Sequence, residues 1–336
     1  MKLKIRKPDD MHCHLRQGKL LNSVIEFTSM QFKRAVIMPN TDPPILTEEQ
    51  AFFYEGSIRS CSHNTGFEPL MTIQINGDTT PAIVVKAKKA GVIAGKVYPQ
   101  GVTTNSQNGV TNFKLIYPEL EKMQEIGMLL LIHGEDPWSK ATCLDRENLF
   151  LPTLFQIASD FPRLKIVMEH ITTENAVEFI TSLPKNVGAT ITAHHLCLTI
   201  DDVVGGLIQP HNFCKPIAKL PADRETLIAA ATSGNPKFFF GSDSAPHLKE
   251  KKECSHGCAG CFTAPVALPL LAQIFEEHDA LDKLEAFVSH FGADFYGLAR
   301  NKETIELEKA NWLVPPHCNG IVPFMADRYL NWKIAE

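Results

Sequence analysis

The chain has no long apolar run. Its longest, such as Met128 to Ile132, end after one strand's worth of residues, far short of the roughly 20 that a membrane-spanning helix needs. It has no excess of positive charge either. The 33 Lys and Arg stand against 38 Asp and Glu, a formal net charge of −5, and no basic stripe alternates with aromatics, so nucleic acid is not an expected partner. Lys86, Lys88 and Lys89 cluster in a helical pattern and read as a solvated face. No secretory leader is visible in Met1 to Asp10. Nine cysteines, an odd count, argue for reduced thiols and a cytoplasmic location. No repeat, low-complexity tract or linker divides the chain, so residues 1–336 are expected to form one domain.

What is present is an alternation. Apolar residues make up 44% and charged residues 21%, as in a globular protein with a sizeable core. Extended runs are expected near 3–14 (interrupted at Pro8), 34–38, 70–75, 92–98, 128–132, 164–168, 187–192 and 237–240. Helical patterns separate them, near 20–30, 47–61, 81–90, 113–126, 146–161, 173–182 and 224–233, and further helices close the chain at 265–278 and 281–291. Thr47 before Glu48-Glu49-Gln50 has the form of a helix cap. Eight strands alternating with helices predict an α/β protein of the (β/α)8 TIM-barrel type.

That fold places active sites at the C-terminal ends of the strands, and the unusual residues fall there. His12 and His14 end the first strand, one residue apart and therefore on one face. Asn40 ends the second, Lys96 lies in the fourth, His133 ends the fifth, His170 the sixth and Asp243 the eighth. Singly, each has an ordinary explanation: a hydrogen-bonded structural histidine, a lysine snorkelling to the rim, an aspartate capping a turn. Together, four His, one Asp and one Lys imply a charge partner, which one or two divalent cations would supply. Lys96 cannot face cations as an ammonium. Burial and nearby positive charge would leave it a neutral amine, able to add carbon dioxide and become an anionic carbamate that bridges two metals.

The motifs Pro8-Asp9-Asp10-Met11-His12-Cys13-His14-Leu15-Arg16, Met38-Pro39-Asn40-Thr41, Lys96-Val97-Tyr98-Pro99, His133-Gly134-Glu135, Glu169-His170-Ile171-Thr172 and Ser242-Asp243-Ser244-Ala245-Pro246-His247 resemble those of the amidohydrolase superfamily. The segment Gly257-Cys258-Ala259-Gly260-Cys261-Phe262 adds to the likeness. The match narrows to the single-barrel (class II) dihydroorotases of many bacteria and covers essentially the whole chain. The resemblance implies a zinc enzyme that reversibly hydrolyses the cyclic amide of L-dihydroorotate to N-carbamoyl-L-aspartate in pyrimidine synthesis. His12, His14, Lys96 and Asp243 would bind one zinc. Lys96, His133 and His170 would bind the other, with carboxylated Lys96 (N6-carboxylysine) and a hydroxide bridging the two. Asp243 would act as general base and acid. Arg16, Asn40 and His247 would recognise the substrate carboxylate, backbone groups of Lys215 and Ala259 its ring amide, and His14 and His133 would also face it. Thr103 and Thr104, in the loop from Pro99 to Gly109, would close over it. A homodimer is implied as well. Lys215 and Cys13 depart from the apolar residues usual at those places. If the contact at 215 is through the backbone and Cys13 faces away from the site, neither should matter.

Two further clusters invite a metal. Cys254, His256, Cys258 and Cys261 include a Cys-x-x-Cys but lack a second ligand pair at a suitable distance. His194 and His195 follow the seventh strand, and strand alternation would send them to opposite faces, favouring a structural or supporting role. Other cyclic amidohydrolases, such as hydantoinases and allantoinases, usually carry an extra β-sandwich built from both termini. Here His12 comes too early to leave room for such a half-domain, so none is expected. Arg16 and Asn40 favour an acidic substrate. A non-catalytic barrel serving another pyrimidine enzyme would have no need of its metal ligands, and all six are present.

Overall fold

A computed structural model describes residues 1–138 and 142–335. Pro8, which can donate no ladder hydrogen bond, splits the first extended run into β1 (Lys2–Arg6) and β2 (Asp9–Cys13). They belong to different sheets. β2 begins a parallel eight-stranded sheet that continues through β3 (Arg34–Ile37), β4 (Glu68–Gln74), β5 (Ala94–Val97), β6 (Leu129–His133), β7 (Ile166–Glu169), β8 (Val187–Ile191) and β9 (Phe238–Phe240), each paired with the next. Nearly every residue of these strands is buried, as strands covered on both faces require. The helices between them follow the expected pattern. Thr47 caps Glu48–Cys61 in a reciprocal box with Gln50, and Thr173 caps Glu174–Ser182.

The barrel closes where the segment after β9 meets β2. The Asp243 N–H donates to the His12 carbonyl at 2.9 Å and the His14 N–H to the Ser244 carbonyl at 3.0 Å. Beneath them the buried Asp10 carboxylate accepts the Ser242 N–H at 2.8 Å, the Ser242 hydroxyl at 2.6 Å and the His12 N–H at 3.1 Å. Inside the barrel, Met11, Val36, Ala94, Leu131, Val167 and Phe239 pack in one apolar cluster. Two residues further along the same inward rows stand Lys96, His133 and Glu169, so each strand places a polar side chain above an apolar one. β2 reaches this arrangement through a bulge. Asp10 pairs with Ala35 and Cys13 with Ile37, which leaves one extra residue in β2 and re-aims its histidines.

The termini hold the main departure from expectation. β1 pairs antiparallel with β10 (Thr304–Leu313), which pairs with β11 (Tyr329–Ile334). The N-terminal residues judged too few to contribute supply one whole strand, although the result is a single small sheet and no sandwich. Trp332 of β11 is fully buried and its indole N–H donates to Glu276 at 2.9 Å, on the last long helix, Ala267–Glu277. The helix expected over 281–291 is broken into a 3-10 turn (Leu281–Lys283) and a π-helical stretch (Ala286–His290) that runs into Phe291–Tyr296. No helix among the described residues is long and apolar enough to cross a membrane.

Removing the carboxylate at the seam should strand two buried N–H groups. Asp10→Ala is expected to cost about 3 kcal/mol of stability, and Ser242→Ala, which leaves the backbone bond in place, about 1 kcal/mol. Denaturant midpoints of the two variants, compared at unchanged m, check the ranking.

Candidate active site

Three ligating atoms meet at the seam. His12 Nε2 lies 3.2 Å from His14 Nε2, and Asp243 Oδ1 lies 3.2 Å from the first and 3.1 Å from the second. Ligands about 2.0–2.2 Å from a tetrahedral zinc stand about 3.3–3.6 Å apart, so the triangle is close to the size of one coordination face. Lys96, His133 and His170 adjoin it. The His170 ring centroid is 5.0 Å from that of His12 and 4.7 Å from that of His133, and His170 Nδ1 is buried without a hydrogen-bond partner among the described residues. The fully buried Lys96 amine contacts the Glu169 carboxylate and sits 4.9 Å from the Tyr98 ring centroid. The donor set, the unpartnered His170 nitrogen and the buried Lys96 fit a pair of divalent cations.

The exits from the strands are bent sharply. Arg16, His170 and Asp243 have φ of 61°, 45° and 41°, the left-handed region that costs a non-glycine residue about 1–3 kcal/mol. His170 is held there by its N–H donating to Thr190 Oγ1 at 2.7 Å.

A cavity opens above these residues, and it gathers most of the positions expected from the sequence. His12, His14, Arg16, Asn40, Thr103, Thr104, His133, His170, Lys215, Asp243 and Ala259 line it, with Tyr98, Ala245 and Gly260 besides. Lys96 lies below its floor. His247 stands at its edge, with Nε2 3.0 Å from Arg16 Nη2 and 3.1 Å from the Ala259 carbonyl. Arg16 Nε donates to the Pro246 carbonyl at 2.9 Å, which fixes the guanidinium at the rim. The loop after Tyr98 is folded down. Asn40 Nδ2 donates to the Thr104 carbonyl at 3.1 Å, and Asn105 Nδ2 to the Asn40 carbonyl at 3.0 Å.

No protein-family model matches the chain. Individual relatives do, over its whole length. A dihydroorotase of Shewanella denitrificans is 51% identical over 341 residues, 99% of each chain. Among solved structures, a dihydroorotase of Campylobacter jejuni is 40% identical with a TM-score of 0.92, covering 100% of this chain and 98% of its own. The Saccharomyces cerevisiae dihydroorotase in complex with 5-fluoroorotic acid is 37% identical with a TM-score of 0.94, covering 99% and 98%. The chain belongs to the dihydroorotase family.

Several residues around the cavity carry no role in the sequence reading. Glu169 Oε1 lies 2.9 Å from His12 Nδ1, and Glu135 Oε2 lies 2.7 Å from His133 Nε2. The Glu135–His133 contact is a hydrogen bond and the Glu169–His12 contact a close approach, and a carboxylate set against one ring nitrogen is the arrangement that orients histidine ligands in metal sites. Both stand in quoted motifs beside a predicted ligand, and that adjacency was the available signal. Lys252 had none. It is buried, and its ammonium donates to the carbonyls of Phe213 and Cys258, each at 3.2 Å, and to that of Gly260. All three of its protons are used, and they tie the segment leading to Lys215 to the segment holding Ala259.

Burial lowers the pKa of His14 to about 4 and that of His247 to about 3, the latter helped by the Arg16 charge. Both rings are therefore neutral near pH 7. For Asp243 burial pushes the pKa up, but the charge of His12 and hydrogen bonds from His12 and His14 prevail and hold it well below the usual carboxylate range. Lys96 is driven well below the usual lysine value by burial, with Asp243 opposing. Partial burial lowers the pKa of Lys215, with the Glu135 charge opposing the shift, and the residue lines the cavity.

One expectation fails here. His194 and His195 are not strand neighbours on opposite faces. β8 stops at Ile191 and both sit in the turn that follows, with ring centroids 4.3 Å apart. Among the described residues the Cys258–Cys261 pair joins no cluster of three ligating side chains.

Lys252→Met should loosen both recognition segments. KM is expected to rise about tenfold, the equivalent of one charge-assisted hydrogen bond, with a smaller change in kcat. Steady-state kinetics separates this from a general folding defect, which would lower the active fraction and leave KM alone.

Proposed function

We propose that the cavity at the barrel seam opens the ring of L-dihydroorotate to N-carbamoyl-L-aspartate, and closes it in the synthetic direction of pyrimidine formation. The observation that carries the assignment is the His12–His14–Asp243 triangle standing beside the Arg16 guanidinium in one cavity. His12, His14, Lys96, His133, His170 and Asp243 would hold two zinc ions, Lys96 as its carbamate, and the ions when bound supply an activated water and polarise the amide carbonyl.

The chain's own residues do the rest. Arg16 offers a planar donor pair to the substrate carboxylate, with Asn40 and His247 beside it, and neutral His247 adds no competing charge. Backbone groups at Lys215 and Ala259 address the ring amide, on segments that Lys252 holds together. His14 and His133 border the reacting carbonyl. Thr103 and Thr104 close the cavity from the loop side and keep bulk water out. Asp243, kept ionised by its histidine neighbours, accepts a proton during hydrolysis and returns it to the departing ring nitrogen. Residues 1–336 act as one domain in this reading, supported by the packing of the terminal sheet on the barrel's last long helix. The cytoplasmic location is supported by the nine unpaired cysteines, and a homodimer by the family resemblance.

Lys96→Ala is expected to lose bound metal and turnover together, with partial recovery of both in the presence of small carboxylic acids. Retention of full metal content at normal turnover, by elemental analysis and assay, would rule out the bridging role. Ring closure consumes one proton, since dianionic carbamoyl aspartate becomes monoanionic dihydroorotate. The equilibrium should therefore move about tenfold toward closure for each unit fall in pH, with synthesis favoured at acid and hydrolysis at alkaline pH. Identical pH–rate profiles in the two directions would contradict it.

A further inference from the structure

His194, His195 and Cys214 are fully buried, and one ligating atom of each lies within 4.8 Å of the other two. The turn after β8, closed by the Leu198 and Cys197 N–H groups donating to the His194 carbonyl at 2.9 and 3.0 Å, brings the two neighbouring imidazoles to one side. His195 Nε2 is 3.4 Å from Cys214 Sγ, and the Pro216 carbonyl lies 3.0 Å from the first and 3.3 Å from the second. With Zn–N near 2.0–2.1 Å and Zn–S near 2.3 Å, the edges of a tetrahedral site are about 3.3–3.6 Å; the His195–Cys214 edge has that size, and His194 lies within 4.8 Å of both.

Hydrogen bonds alone account for two of the three side chains. His195 can donate from Nε2 to the Pro216 carbonyl while Nδ1 accepts from Thr192 Oγ1 at 2.9 Å, and the Cys214 thiol can donate to the same carbonyl. His194 is left over. Among the described residues neither of its ring nitrogens has a hydrogen-bond partner, and the Phe324 ring stands 6.2 Å away between centroids. A buried polar ring unpaired at both nitrogens is costly, and a cation in the cluster would give one of them a partner.

We propose that His194, His195 and Cys214 form a metal site separate from the seam, selective for a zinc-class divalent cation, with the Pro216 carbonyl available as a fourth ligand. Two imidazoles and a thiolate suit zinc or cobalt and disfavour magnesium or calcium. On binding, the Cys214 thiol gives its proton to solvent. The His195 ring proton moves to Nδ1, where Thr192 Oγ1 accepts it. Cys214 directly precedes Lys215, so the ion would brace the segment that borders the substrate cavity.

Cobalt(II) is the probe. The full-length protein is stripped with a chelator, reloaded with cobalt and followed by absorption. The seam offers only nitrogen and oxygen ligands, so thiolate-to-cobalt charge transfer in the near-ultraviolet reports the Cys214 site alone if it vanishes in Cys214→Ser. That variant and His194→Gln should each bind one equivalent less metal per chain, while the visible bands of the seam metals persist. His194→Gln preserves a buried polar side chain and decides the question if the cysteine variant does not fold. A wild-type protein without the thiolate band, a band that survives Cys214→Ser, or unchanged metal content in folded His194→Gln would overturn the proposal.

Discussion

A short row of hydrogen bonds joins the first barrel strand to the segment after the last. The Asp243 N–H reaches the His12 carbonyl, the His14 N–H reaches the Ser244 carbonyl, and Asp10 holds Ser242 from below. His12 and His14 arrive from one end of the barrel sequence and Asp243 from the other, more than two hundred residues on. Their ligating atoms meet only when the barrel is shut. Closing the fold and assembling the ligand triangle are thus one event, and the stability of the seam sets how well the site is preorganised.

The same bonds retain a backbone that would otherwise relax. Arg16, His170 and Asp243 occupy the left-handed region, which persists only where neighbours over-determine it. Asp243 is pinned through the seam. His170 is pinned from both sides, by Thr190 before it and by Glu147 after it. The buried Glu147 carboxylate accepts the N–H and hydroxyl groups of Thr172 and Thr173 at 2.6–2.9 Å. Rigid strand ends then aim polar groups into a space whose lower half is filled by apolar side chains.

Much of this is legible in the sequence, because the strand rhythm and the rule that chemistry sits at strand C-termini are both local signals. His12, His14, Lys96, His133, His170 and Asp243 stand out as polar residues ending apolar runs, and the structure brings them together. What stays hidden depends on partners far along the chain. Nothing near Lys252 says that its three protons go to carbonyls at 213, 258 and 260. Glu135 and Glu169 are visible, but their service to His133 and His12 appears only once the rings are oriented. The pairing of Lys2–Arg6 with a strand three hundred residues away carries no periodic mark of its own. His194 and His195 show the opposite hazard, strand alternation carried past the end of β8 at Ile191 into a turn, where it gives the wrong faces.

The small terminal sheet has a consequence for synthesis. β1 leaves the ribosome well before its partner strand, which begins at Thr304, and before β11, which brings the buried Trp332 and ends at Ile334. The barrel seam likewise waits for Ser242 and beyond. Until the tail emerges, the nascent chain must hold an unpaired strand edge and an open barrel, each a surface on which chains can associate wrongly. Loss of β11 would leave the outer edge of β10 bare for good, so this strand guards against wrong association while lying outside the chemistry.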